Sequence, residues 1–199
     1  MADIALPSQD FAKFTIELEQ NFQVNTSVWT GRTRKTQVPG AQKWYVRAEY
    51  EPIATEEEER PYRAFFAQAR GPIRSFNIQV ACSQRTGSNP TVRAGAGPAN
   101  TLPLAGLPAS ATALLAGQYM AVPLPSGHVR LVLLTANLAA DASGNATAIF
   151  EPLLGETPAT GATVETINPY LPATMAEARH GWTTDNGVTI FAIDAVEAL

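Results

Sequence analysis

The chain is short of most of what surface chemistry requires. It has one cysteine, Cys82, two histidines, His128 and His180, and only 16% charged residues in a length of 199. A single cysteine excludes an internal disulfide and any multi-thiolate metal centre within one chain. Lying in an alternating apolar stretch, Cys82 reads as a small core residue. No apolar run approaches the roughly 20 residues of a membrane helix, and the opening MADIALPSQDF has neither the basic start nor the apolar stretch of a signal peptide. Neither export nor a membrane partner is expected. The sequons Asn25-Thr26-Ser27 and Asn145-Ala146-Thr147 therefore read as chance matches. A net charge of −4 argues against stable nucleic-acid binding, which needs Lys and Arg gathered on one face. Transient passage of DNA past an acidic wall is compatible with it.

Turn formers are plentiful: 15 prolines and 14 glycines with few long helical patterns predict a mainly β chain. Charge is uneven. Residues 1 to 85 hold 11 of the 14 Lys and Arg and 10 of the 18 Asp and Glu, whereas residues 86 to 155 hold only Arg93, Arg130, Asp141 and Glu151. The shift coincides with QRTGSNPTVRAGAGPAN, and GETPATGATVETINPYLPAT follows at 155 to 174, so two linkers are expected to bracket a middle segment. Residues 1–87 plus 156–199 then form one β domain, and residues 88–155 an inserted small barrel.

In the first segment, KFTIELEQ and KWYVRAEY alternate with period 2, placing Phe14, Ile16 and Leu18, then Trp44, Val46, Ala48 and Tyr50, on buried faces. IRSFNIQVAC continues the pattern with Phe76, Ile78, Val80 and Cys82. Between them Tyr62, Phe65, Phe66 and Ala69 fall at i, i+3, i+4 and i+7, which predicts a helix over about 61–70. Pro61 is placed at its first position, and Gly71-Pro72 ends it. Trp44, Phe65 and Phe66 are the expected core anchors. QYMAVPL, HVRLVLLTANL and ATAIFEPLL supply the middle strands, and VTIFAIDAVEAL a closing strand able to return to the first sheet.

No stretch carries recognisable catalysis. His128 lies at a turn without a nucleophile motif and reads as a strand-edge residue; His180, beside Gly181-Trp182, reads as a packing or interface contact. RAGAGPAN lacks the G-K-[ST] ending of a phosphate loop. ADASGNATAIF resembles a calcium loop, but its twelfth position is Pro152 and not a closing carboxylate, so a hairpin with a positive φ at Gly144 or Asn145 is expected. The run Glu56, Glu57, Glu58, Glu59 reads either as a cation- or channel-facing patch or as a solvated helix start with Glu56/Arg60 and Glu59/Arg63 pairs. In TGRTRKTQVPGAQ, the cations Arg32, Arg34 and Lys35 lie in a long polar connection. It is either a solvated loop or an arm onto a neighbouring subunit. No cofactor, metal or catalytic residue is expected.

Several patterns together resemble one family. Trp29 and Gly31, then PGAQKW (39–44), then FFAQARGPIRSFNI resemble the front of the distal tail proteins of long-tailed bacteriophages. LLAGQYMAVP, the stretch from GHVRLVLL to EPLL with its D-A-x-G turn, and the closing GATVETINPYLPATMAEARHGWTTDNGVTIFAIDAVEA are similar to that family's small barrel and C-terminal return. The resemblance implies a tail-ring β-sandwich with one short helix, carrying an inserted OB-like barrel. It also implies a structural virion protein at the tail tip, made in the host cytoplasm. The implied partners are five further copies in a homohexamer, the tail tube protein, hub or tip proteins and the tape-measure protein, with DNA only passing through. A carbohydrate-binding module, or another tube or head-tail connector subunit, is the rival. Arg32, Arg34 and Lys35 are the interface candidates on one side, with Glu56 to Glu59 of the neighbour on the other.

Overall fold

A computed structural model describes residues 4–38 and 42–198. The chain is mainly β, with 43% of it in strands arranged in several sheets. One α-helix occurs among the described residues, and no helix there is long and apolar enough to cross a membrane.

Along the chain, β1 (Phe11–Glu19) leads into a small ribbon of β2 (Phe22–Thr26) and β3 (Thr33–Gln37), then β4 (Lys43–Tyr50), helix α1 (Glu56–Ala69) and β5 (Phe76–Gln79). The middle contributes β6 (Thr91–Val92), β7 (Thr101–Ala105), β8 (Thr112–Leu114), β9 (Tyr119–Pro123), β10 (Val129–Leu134), β11 (Leu138–Ala139) and β12 (Ala146–Glu151). The chain closes with β13 (Tyr170–Met175), β14 (Trp182–Asp185) and β15 (Val188–Glu197).

The first sheet runs β1-β4-β15-β13-β5, with β14 also on β15. The closing strand does return to the first segment, inserting between β4 and β13. Period-2 patterning buries Trp44, Val46, Ala48 and Tyr50 of β4 and Phe191, Ile193 and Ala195 of β15 on one face. Two elements cover that face. Helix α1 brings Phe65, Phe66 and Ala69 onto it, and the β9–β10 pair brings Tyr119, Leu131 and Leu133. The opposite residues of the same pair, Met120, Val122, Val132 and Leu134, fill a second core. YMAVP and, apart from Arg130, VRLVLL are apolar because both of their faces are buried.

That second core lies inside a sheet ordered β6-β7-β12-β10-β9. Residues 161–165, expected in a linker, join its two edges. Gly161 donates to the Val92 carbonyl and Val164 to the Pro90 carbonyl, while Glu165 and Ala121 exchange both backbone bonds. The two expected linkers also run together. Gln84 donates from its amide to the Ile167 carbonyl, Asn89 Nδ2 to Glu165 at 2.7 Å, and Arg85 Nη1 to Thr166 Oγ1 at 2.9 Å. Backbone pairing has made strands of letters that composition alone marked as irregular: β6, and β13 at the end of the 155–174 stretch.

Three further expectations are corrected. The helix starts at Glu56 and not near 61, so the acidic run forms its first turn and Pro61 sits inside it. The proline removes only the bond to the Glu57 carbonyl, at an exposed position where water can take its place. Arg70, in the left-handed region at φ 52°, ends the helix. Cys82 is exposed, because β5 stops at Gln79 and the chain turns at Ser83 (φ 50°). The alternation that continues through Cys82 in the sequence has no strand beneath it.

The turn at Asp141 to Asn145 is closed by its own backbone bonds, with the Asp141 amide donating to the Asn145 carbonyl. It is not the expected hairpin, since its flanking strands find other partners: β11 pairs with β8, and β12 with β7 and β10. Asp141 accepts from the Ser143 and Asn145 amides at 2.8 and 2.9 Å, which holds its carboxyl below the usual carboxylate range. Gly144 lies at φ 74°, and a Cβ there would stand 2.5 Å from the Leu107 carbonyl oxygen. Glycine is required twice, by conformation and by space.

Candidate assembly interface

The segment carrying Arg32, Arg34 and Lys35 is a β-hairpin, and not the irregular connection its polar letters imply. β2 and β3 pair only with each other, register Val24↔Lys35 and Asn25↔Arg34, and every residue from Asn21 to Thr36 is exposed. Five-residue strands carry the tip roughly 17 Å from the base. Alternation across the ribbon separates the cations. Phe22, Val24 and Lys35 share one face, with the Lys35 ammonium 5.3 Å from the Phe22 ring centroid, and Arg34 lies on the other beside Asn25. Pro39 to Ala41 of the PGAQKW motif lie outside the described residues.

The hairpin also holds side chains that sequence reasoning passed over. Val28 and Trp29 at its tip are 95% and 96% exposed, and Phe22 and Val24 are about half exposed. The signal was present: NFQVN alternates apolar and polar letters, which marks a strand. No acid occurs between Asn21 and Val38, so the arm carries three of the fourteen cations and none of the eighteen acids.

The acidic run lies at the start of α1, and most of it is occupied. Glu56 pairs with Arg60 at 3.5 Å, Glu59 pairs with Arg63, and Glu58 accepts from the Thr55 hydroxyl at 2.7 Å. Glu59 is buried, against the expectation of a wholly solvated start. Arg63 continues over the Trp182 ring at 5.7 Å, and Phe66 and Phe191 flank that ring, so the pair serves the packing of α1 on the sheet. His180 packs as well: it stacks on Phe66 and donates from Nε2 to the Phe66 carbonyl at 2.8 Å.

The three core anchors are buried, and Trp44 has a further role. Its indole donates to the Leu131 carbonyl at 2.8 Å, across the boundary between the two cores. Its backbone amide donates to Glu197 Oε2 at 3.2 Å, and the same oxygen accepts from Arg130 Nη1 at 2.7 Å. Arg130 Nη2 donates to the Gln42 carbonyl at 2.7 Å. A buried ion pair therefore joins β10 to β15. Its fit is imperfect: Gln42 Nε2, Arg130 Nε and Glu197 Oε1 are buried without a hydrogen-bond partner among the described residues. Burial pushes the Glu197 carboxyl up to about 6, although Arg130 and the Trp44 amide pull it down. The signal for this pair was a lone cation in the apolar VRLVLL and, in VTIFAIDAVE, an acid at Glu197 in phase with the buried Phe191, Ile193 and Ala195.

Residues 86–155 offer little for stacking a sugar. Of their two aromatic residues, Phe150 is fully buried, and Tyr119 packs edge-on against Trp44. Among the described residues, no group of three or more His, Cys, Asp and Glu is placed to hold a metal ion. Compared with known protein families and with curated proteins, the sequence matches none of either.

Proposed function

We propose that this chain is a structural subunit of a phage tail tip, a distal tail protein that assembles into a ring joining the tail tube to the hub and leaving a channel for the genome. One observation carries the reading: an acid-free hairpin that stands clear of its own fold with Trp29 and Val28 almost fully exposed at the tip. A lone chain gains nothing from such a feature. An exposed aromatic of this kind is worth about 2–4 kcal/mol once buried at the centre of an interface, and an arm on one copy meeting a different surface on the next is the heterologous contact that closes into a ring. The cations add steering and register more than affinity. The mainly β fold with a single covering helix agrees with the resemblance drawn above. Sedimentation velocity across a wide concentration range, with electron microscopy of the heaviest species, tests it. Closed rings of uniform size are expected for the intact chain and monomers for Trp29→Ala. A chain that stays monomeric at every concentration, alone and with tube protein, refutes it.

A further inference from the structure

If the arm docks on a neighbouring copy, the acidic run of α1 is a poor seat, since Glu56, Glu58 and Glu59 already have partners within the same chain. A better-matched surface lies elsewhere. The first sheet is covered on one face only, and the face turned away from α1 and the β9–β10 pair is open along four strands. Register places Glu17, Glu19, Glu49, Asp185 and Asp194 on it, all exposed. Lys13, Lys43 and Arg47 are the cations of the same strands and face. Between the charges the surface is apolar or half-apolar, with Tyr45, Ile190 and Ala192 at its centre. It is also grooved: clefts of about 330, 250 and 500 Å³ run across it, the first against Tyr45 and Asp194 and the last against Glu49 and Ile190.

We infer that this open sheet face is the seat for the β2–β3 hairpin of a second copy of the chain. The inference rests on the assembly reading above and assigns its receiving surface. Charge supports the match: the arm is positive and free of acids, while on the face Arg47 pairs with Asp194 at 3.3 Å, leaving Glu17, Glu19, Glu49 and Asp185 against Lys13 and Lys43. Shape supports it too, because the arm's Phe22 and Val24 face needs an apolar groove, and its Lys35 and Arg32 need carboxylates at the rim. The arm lies in the chain between Glu19 and Lys43, at one end of β1 and β4. Each copy thus offers an arm at one place and a seat at another.

Charge exchange in the full chain tests this by sedimentation velocity. Arg32→Glu with Lys35→Glu reverses the arm; Glu17→Lys with Glu49→Lys reverses the seat. Each pair alone is expected to weaken association at least tenfold, and one chain carrying all four changes is expected to recover most of it. A second measurement is independent of these variants. In a Cys82→Ser background, Val24→Cys with Ala192→Cys should give a disulfide-linked ladder under mild oxidation, and either cysteine alone should not. If the intact chain associates and arm reversal abolishes this, but seat reversal does nothing and no ladder forms, the seat is wrong while the assembly reading stands. An intact chain that never associates overturns both. An arm that captures anionic lipid vesicles while chain-to-chain association survives its reversal also overturns the seat.

Discussion

Removing Arg130 tests the structural reasoning most severely, because the junction between the two cores depends on a charge with little solvent to replace its partner. The side chains of Arg130 and Glu197 are 3% and 0% exposed, and they meet at 2.7 Å. Arg130→Leu leaves the Glu197 carboxylate buried with only the Trp44 and Leu131 backbone amides, and breaking one partner of such a pair costs about 3–5 kcal/mol. For a chain of this size, roughly 2–4 °C per kcal/mol translates that into a fall in Tm of about 6–20 °C. The double variant Arg130→Leu, Glu197→Leu removes both desolvation costs, and should fall within about 1–2 kcal/mol of the parent. pH adds a sign. Glu197 has a folded-state pKa raised to about 6 from an ordinary 4.5, so its proton binds more tightly in the folded chain. Its contribution to stability is fully present below about 4.5 and is lost as pH rises through about 6. Acidification from pH 7.5 to 5 should therefore recover about 1 kcal/mol through this group. The Arg130→Leu deficit should shrink over the same range, since the stranded carboxylate is neutralised. Urea unfolding followed by tryptophan fluorescence at both pH values measures each quantity. A single variant as stable as the parent at pH 7.5, or a deficit that grows on acidification, would refute the account.

Other outcomes follow from the same structure. Gly144→Ala should destabilise by at least about 2 kcal/mol, since a left-handed backbone costs an alanine about 1–2 kcal/mol and its Cβ would also meet the Leu107 carbonyl. Gly117→Ala, at φ 88° with open space around it, should lose only the backbone part; equal losses in thermal melts would remove the steric argument. Trp29→Ala should leave monomer stability within about 0.5 kcal/mol while reducing association, because the ring touches nothing in its own chain. Asp141 should titrate below the ordinary aspartate value in a carbon-detected NMR titration, since two backbone amides hold its charged form. The stability it adds is present above its ordinary pKa and lost as pH falls through the lowered one. An unshifted inflection in that titration would leave the turn geometry wrong.

Local pattern carried much of this protein. Period 2 marked β1, β4 and β15, and i, i+3, i+4 spacing marked the buried face of α1, because a side chain's direction follows from its own backbone and its neighbours. The Asp141–Asn145 turn was legible for the same reason: its hydrogen bonds close within five residues. What the letters left open depends on chain segments distant in sequence. Residues 161–165 became a stave only because β6 and β9 each presented an unpaired edge, and Cys82 lost its place in the core because its strand ended before reaching it. Arg34 and Lys35, adjacent in sequence, point to opposite faces because β3 found a partner in β2. Arg130 and Glu197 lie 67 residues apart, and neither apolar strand alone reveals that its buried charge has a mate. The sequence by itself determined which residues want burial and with what period; the tertiary structure decided which edges and charges meet, since hydrogen-bond and ion-pair partners across a sheet are set by topology and not by spacing along the chain.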